Sequence, residues 1–127
     1  MRQILLIDDN PLQLKVREAV LRNAGFTVTL AATVETALAR LRTMGEDIGL
    51  IVTDHVMSEG SGSDLVRTLR AEEYWLPVVV LSGMPEAYGE YAGLNVLFRV
   101  KPLPPAELLD LVRTTLGENE QHARGAA

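Results

Sequence analysis

Apolar runs of strand length, Ile4 to Ile7, Thr27 to Ala31, Leu50 to Thr53, Val78 to Leu81 and Val96 to Val100, recur along the chain with longer segments between them. Most of those segments carry apolar side chains three and four residues apart, the period of a helix with one buried face. This alternation predicts repeated βα units and a mostly parallel sheet, an α/β fold in which helices cover the strands. The run Leu50 to Thr53 is continuous in apolar and β-branched residues, as in a strand covered on both faces.

Local signals sharpen the helices. Asn10 is placed to cap a helix whose first residue is Pro11, where the missing N–H costs nothing. Leu12, Val16, Ala19, Val20 and Ala24 give it an apolar stripe, and Gly25 stops it. A second helix is predicted over 34–44 with Ala37, Leu38 and Leu41 inward and Gly45 as its stop. A third runs over about 63–73 through Leu65, Val66 and Leu69. The last opens at Pro104 or Pro105 and carries Leu108, Leu109, Val112 and Leu116. Between Ser82 and Asn95, Gly83, Pro85, Gly89 and Gly93 allow only a short, irregular helix. Beyond Gly117 almost nothing is available to bury, so residues 1–117 read as one domain and 118–127 as a flexible tail or linker.

Composition narrows the function. A chain of 127 residues can bury a core without covalent staples, and with no cysteine it has neither disulfides nor thiolate metal sites. The net charge of −5 and the lack of a basic stripe argue against direct nucleic-acid binding. No apolar run approaches the ~20 residues that span a bilayer, and the N-terminal run is too short for a signal peptide. The expectation is a cytoplasmic protein with no membrane contact.

The chemistry lies at the ends of the runs. Asp8 and Asp9 follow the first, Asp54 the third, Ser82 the fourth, and Lys101-Pro102 the fifth, which also holds Phe98. Open α/β sheets bind ligands outside the carboxyl ends of their strands, so these residues are expected to share one crevice. Each has an ordinary explanation alone: a solvated acid pair, a turn-capping serine, a core aromatic, an exposed lysine. Together, three carboxylates in one crevice repel unless a cation sits among them, and Mg²⁺ suits oxygen donors. Lys101 would supply a point charge and Ser82 a hydroxyl for a phosphoryl group. The Lys101–Pro102 bond is a candidate cis peptide. His55 follows Asp54 directly, so alternation sends it to the other side of the strand, away from this chemistry.

The set Asp8-Asp9, Asp54, Ser82, Phe98 and Lys101-Pro102, in this order and spacing, resembles the receiver domain of two-component response regulators from about Gln3 to Leu116. The resemblance implies a flavodoxin-like (βα)5 fold with a five-stranded parallel sheet in order 2-1-3-4-5; the general principle for such folds names a receiver protein as its own example. It further implies Asp54 as the phospho-accepting nucleophile and Asp9, Asp8, Asp54 and the carbonyl of Val56 around Mg²⁺. Lys101 would pair with the acyl phosphate, while Ser82 and Phe98 would be the switch residues. The phosphoryl donor would be a histidine kinase or a histidine phosphotransfer protein, and the receiver would act as a signalling domain rather than an enzyme with an outside substrate. It would catalyse only its own phosphorylation and a slow autodephosphorylation. A homodimer is compatible with this reading. The stretches Thr53-Asp54-His55-Val56-Met57 and Leu81-Ser82-Gly83 resemble receivers attached to hybrid sensor kinases.

The chain departs from that pattern in places. Ser58 stands where proline is usual, and Ser82 to Lys101 is a few residues short, which weakens the face through which receivers ordinarily dock. Val56 and Met84 border the expected path of the hydrolytic water and cannot orient it, which predicts a long-lived phosphoryl-aspartate. Two alternatives compete: a pseudo-receiver serving only as a protein-interaction module, and a phosphohydrolase with an aspartyl-phosphate intermediate. The intact acids and Lys101 oppose the first. Val56, where such hydrolases usually carry a second acid, opposes the second.

Overall fold

The computed structural model describes residues 2–125, with side chains through residue 117. Strands β1 (Gln3–Ile7), β2 (Val28–Ala31), β3 (Ile48–Asp54), β4 (Val78–Ser82) and β5 (Leu97–Val100) alternate with helices α1 (Pro11–Asn23), α2 (Val34–Met44), α3 (Gly62–Ala71) and α4 (Pro105–Gly125). All neighbours pair in parallel, in the expected order β2-β1-β3-β4-β5. Between β4 and β5 the chain forms a 3₁₀ segment, Pro85–Tyr91, in place of a full α-helix. This is the irregular fourth helix that the glycines and proline predict.

Alternation along the strands sorts the core into two layers. Leu5, Ile7, Ile51 and Val80 face α2, α3 and Tyr91 of the 3₁₀ segment. Ile4, Leu6, Leu50, Val52, Val79 and Leu81 face Leu21 of α1 and Leu108 and Val112 of α4. Every residue of β3 is buried, as its unbroken apolar run requires. Truncating a side chain such as Leu50 or Ile51, each wholly enclosed, would cost about 2–5 kcal/mol.

The helix ends follow the local chemistry. Asn10 Oδ1 accepts the N–H groups of Leu12 and Gln13, with Pro11 as the first helical residue. Ser61 and Asp64 form a reciprocal capping box at the start of α3. Gly45 ends α2 at φ +53°, a conformation glycine adopts without strain. At the other end of the chain, Gly117 lies inside α4, whose backbone stays helical to Gly125. A single glycine costs a helix only about 1 kcal/mol, too little to stop it there. Ala126 and Ala127 lie outside the described residues.

Arg70 organises the stretch that the sequence leaves vague. It is buried, and its guanidinium donates to the carbonyls of Tyr74, Leu76, Leu94 and Asn95 at 2.8–3.1 Å. One side chain on α3 thereby fixes the turns that lead into β4 and β5.

Candidate functional site

The parallel register carries the predicted residues to one edge. Ile7 pairs with Thr53 and Asp54 with Leu81, so Asp8, Asp54 and Ser82 emerge from three adjacent strands. Ser82 pairs with Val100, and the Lys101 N–H donates to the Ser82 carbonyl at 2.8 Å, which brings the lysine alongside. The Lys101–Pro102 peptide is cis.

At the centre, the Lys101 ammonium forms an ion pair with Asp54 Oδ1. That oxygen is buried and accepts no well-directed hydrogen bond. Burial raises the Asp54 pKa above its ordinary value; the charge of Asp8 adds to this, while Lys101 and Arg17 pull against it. Asp8 is almost wholly enclosed, with Oδ1 accepting the Asn10 N–H at 2.9 Å and Oδ2 accepting Arg17 Nη1 at 2.6 Å. Asp9 Oδ2 accepts the Ser58 N–H at 2.6 Å. Gln13 Oε1 lies 3.4 Å from both Arg17 Nη2 and Lys101 Nζ, bridging the two cations.

The acid trio is thus offset by cations of the chain itself. The sequence reading assigned Lys101 a place there but missed Arg17, whose only signal was a basic residue two turns into the helix behind the acid pair. Among the described residues, no three His, Cys, Asp or Glu side chains group closely enough to hold a metal ion in the present arrangement. In type, however, the donors fit Mg²⁺. They are hard oxygen ligands, the donor type this ion prefers. Val56 stands just beyond Asp54 with its side chain exposed, its backbone bridging to Ser61.

Ser82 does what a serine at a strand end ordinarily does. Its buried hydroxyl accepts the Met84 N–H at 2.9 Å and donates to the Met84 carbonyl at 3.1 Å. Phe98 lies apart from the acids, half-buried in an aromatic group with Tyr88 and Tyr91 at centroid distances of 5.5 and 5.7 Å.

His55 does leave the acid side, but for a structured place. It is buried, with Nδ1 2.6 Å from the Tyr91 hydroxyl and Nε2 3.2 Å from Glu90 Oε2. Burial and the Glu90 charge push the Tyr91 pKa up, so its hydroxyl keeps the proton and can donate it to Nδ1. Nε2 faces Glu90, whose Oε1 also accepts from Ser63 Oγ at 3.0 Å. Gly62 makes the packing possible: a Cβ there would lie 2.6 Å from the Tyr91 hydroxyl and 2.8 Å from the Asp54 carbonyl. The Tyr91 partnership carries no sequence motif, because it joins residues far apart in the chain.

Comparison with known proteins agrees with this geometry. Residues 4–113 match the response regulator receiver domain family. The DNA-binding response regulator MtrA of Mycolicibacterium smegmatis is 32% identical over 124 residues, which are 94% of this chain and 53% of that protein. The chain spans about half or less of the length of the curated relatives it matches. Among solved structures, a response regulator receiver protein from Pseudomonas putida is 32% identical with a TM-score of 0.81, covering 90% of this chain and 98% of that one. A CheY-like receiver domain protein from Methanospirillum hungatei, 22% identical, shares the fold at a TM-score of 0.86 over 96% of this chain and 98% of its own. Fold and family match coincide, and the chain belongs to the response regulator receiver domain family of two-component systems.

Proposed function

We propose that the protein is a phospho-accepting receiver in which Asp54 takes a phosphoryl group from the phosphohistidine of a histidine kinase or phosphotransfer protein. The observation that carries this reading is the buried Asp54 carboxylate paired with Lys101 at the mouth of the sheet. A carboxylate oxygen attacks phosphorus, the bond from phosphorus to the imidazole nitrogen breaks, and the leaving histidine recovers its electron pair. Lys101 holds Asp54 in place and then faces the equatorial oxygens of the transferring group. Asp8, Asp9, Asp54 and the Val56 carbonyl would hold Mg²⁺, which when bound neutralises charge on that group.

The product carries roughly one to two added negative charges. Ser82 would release Met84 to donate its hydroxyl to a phosphoryl oxygen, and Phe98 would repack with Tyr88 and Tyr91. The result is a shift between two arrangements of the β4–β5 side of the sheet. The donor would approach past Leu12 and Val16, exposed apolar residues of α1. They border a cavity of about 370 Å³ that Gln13 and Arg17 also line. Residues 1–117 would form the receiver unit and 118–127 its tail or linker. The output partner would be contacted by protein surface, without direct nucleic-acid binding by this domain.

Acetyl phosphate with Mg²⁺ tests the reading by intact mass. A single phosphoryl adduct is expected, absent in Asp54→Asn. No adduct with any small donor would favour a pseudo-receiver, and rapid turnover of many phosphate esters a hydrolase. The side chains of Val56 and Met84 are exposed and apolar, so neither fixes a water for attack. The adduct is therefore expected to outlast removal of donor by minutes, and loss within seconds would sink that expectation.

A further inference from the structure

Both members of the acid pair are already engaged by donors of the chain. Asp8 is 1% exposed and holds Arg17 on Oδ2 and the Asn10 N–H on Oδ1. Asp9 holds the Ser58 N–H on Oδ2, a donor that exists because residue 58 is not proline. These are the oxygens that a divalent cation or its bound water would need.

We propose that Arg17 competes with the divalent cation for Asp8, so that the cation enters by displacing the guanidinium and Arg17 sets the concentration at which the site fills. This rests on the receiver reading of Asp8 and Asp9. A guanidinium–carboxylate hydrogen bond of 2.6 Å is of the strong, charge-assisted kind. The pair is poorly screened, with the arginine side chain 16% exposed and the aspartate 1%. The carboxylate cannot swing out to meet a cation, since it is enclosed and tied to Asn10. The arginine can. Its one other side-chain hydrogen bond among the described residues is the long one to Gln13 at 3.4 Å, and it lines the open groove beside α1. Exchange would therefore substitute one cation for another at a fixed carboxylate. The Ser58 N–H is a weaker second guard, because a backbone donor carries no net charge.

Mn²⁺ serves as the probe, with the free ion counted by its paramagnetic resonance signal in titrations of the whole chain. Arg17→Met, which keeps length and loses charge, should bind Mn²⁺ about tenfold more tightly than the unmodified protein, the order expected for removing a unit charge beside a partly buried site. Arg17→Lys should stay within about threefold of the unmodified protein. Equal or weaker binding by Arg17→Met overturns the proposal while leaving the receiver reading intact. If the unmodified protein and Arg17→Met both fail to bind Mn²⁺, the proposal and the metal reading fall together. A second measurement needs no variant: in ¹⁵N-resolved spectra of the unmodified protein, the Arg17 side-chain N–H signal should shift on adding Mg²⁺, in step with the Asn10 and Ser58 amides. A stationary Arg17 signal while those amides move would also overturn it.

Discussion

Two regions meet at the end of β3, and they are held together by different means. On the Asp54 side the side chains are charged: three acids, Lys101 and Arg17, with few neutral hydrogen bonds among them. On the His55 side a hydroxyl, an imidazole and a carboxylate form a chain through Tyr91, His55 and Glu90, backed by the rings of Tyr88 and Phe98. Consecutive strand residues point to opposite faces, so one step along the backbone separates the two. The shortest covalent link between these two regions is the peptide joining Asp54 to His55.

Gly62 is where this division can be broken most severely. A Cβ there would press on the Tyr91 hydroxyl and on the Asp54 carbonyl together, and the carbonyl is fixed in the sheet. Gly62→Ala is expected to cost about 3 kcal/mol in urea unfolding, the upper part of the range for overpacking. It should also slow phosphorylation by acetyl phosphate, because Asp54 moves. A stable variant with normal phosphorylation would mean that the two regions touch less closely than these distances imply.

Tyr91→Phe attacks one region alone. It removes a hydroxyl from buried His55 and leaves Nδ1 without its partner, which should cost about 1–2 kcal/mol. Phosphorylation by acetyl phosphate should stay within about twofold of the unmodified protein, since no acid, lysine or arginine of the crevice contacts Tyr91. A large rate loss would show that the hydroxyl–imidazole chain supports the chemistry as well as the packing.

The two regions were also unequally legible in the sequence. The bounds of the helices over 11–23 and 34–44 follow from caps and stops nearly to the residue, and the strand order follows from the family resemblance. The stripe expected on the first helix misses its buried face, since Leu12 and Val16 are exposed while Leu21 is enclosed. The acids, Ser82 and Lys101 could be found because strand ends in such a sheet converge whatever the side chains do. Arg17 escaped because a single arginine on an exposed-looking helix turn has many uses, and only the three-dimensional approach of α1 to β1 aims it at Asp8. Tyr91, Arg70 and the partners of His55 escaped for the same reason: each acts through contacts chosen by packing. Of the three carboxylates, Asp8 holds Arg17, Asp9 the Ser58 N–H and Asp54 the Lys101 ammonium, and the first two are partners that no sequence spacing announces.

The smallest expected effect concerns the stability cost of the nucleophile. Burial, the largest influence on Asp54, raises its pKa in the folded protein above the ordinary 3.8 of the unfolded chain. Well below that value the side chain is protonated in both states and contributes nothing to the pH dependence. As pH rises, the unfolded chain gives up the proton first, which favours unfolding; the penalty grows until pH passes the raised folded value and is constant above it. Asp54→Asn removes the ionisation, so its melting temperature should exceed that of the unmodified protein at neutral pH, and the gap should close as pH falls through the carboxylate range. A less stable Asn variant at neutral pH would reverse the ranking, placing the attraction of Lys101 above the cost of burial. The crevice would then be a net source of stability, and its contrast with the Tyr91 side would rest on chemistry alone.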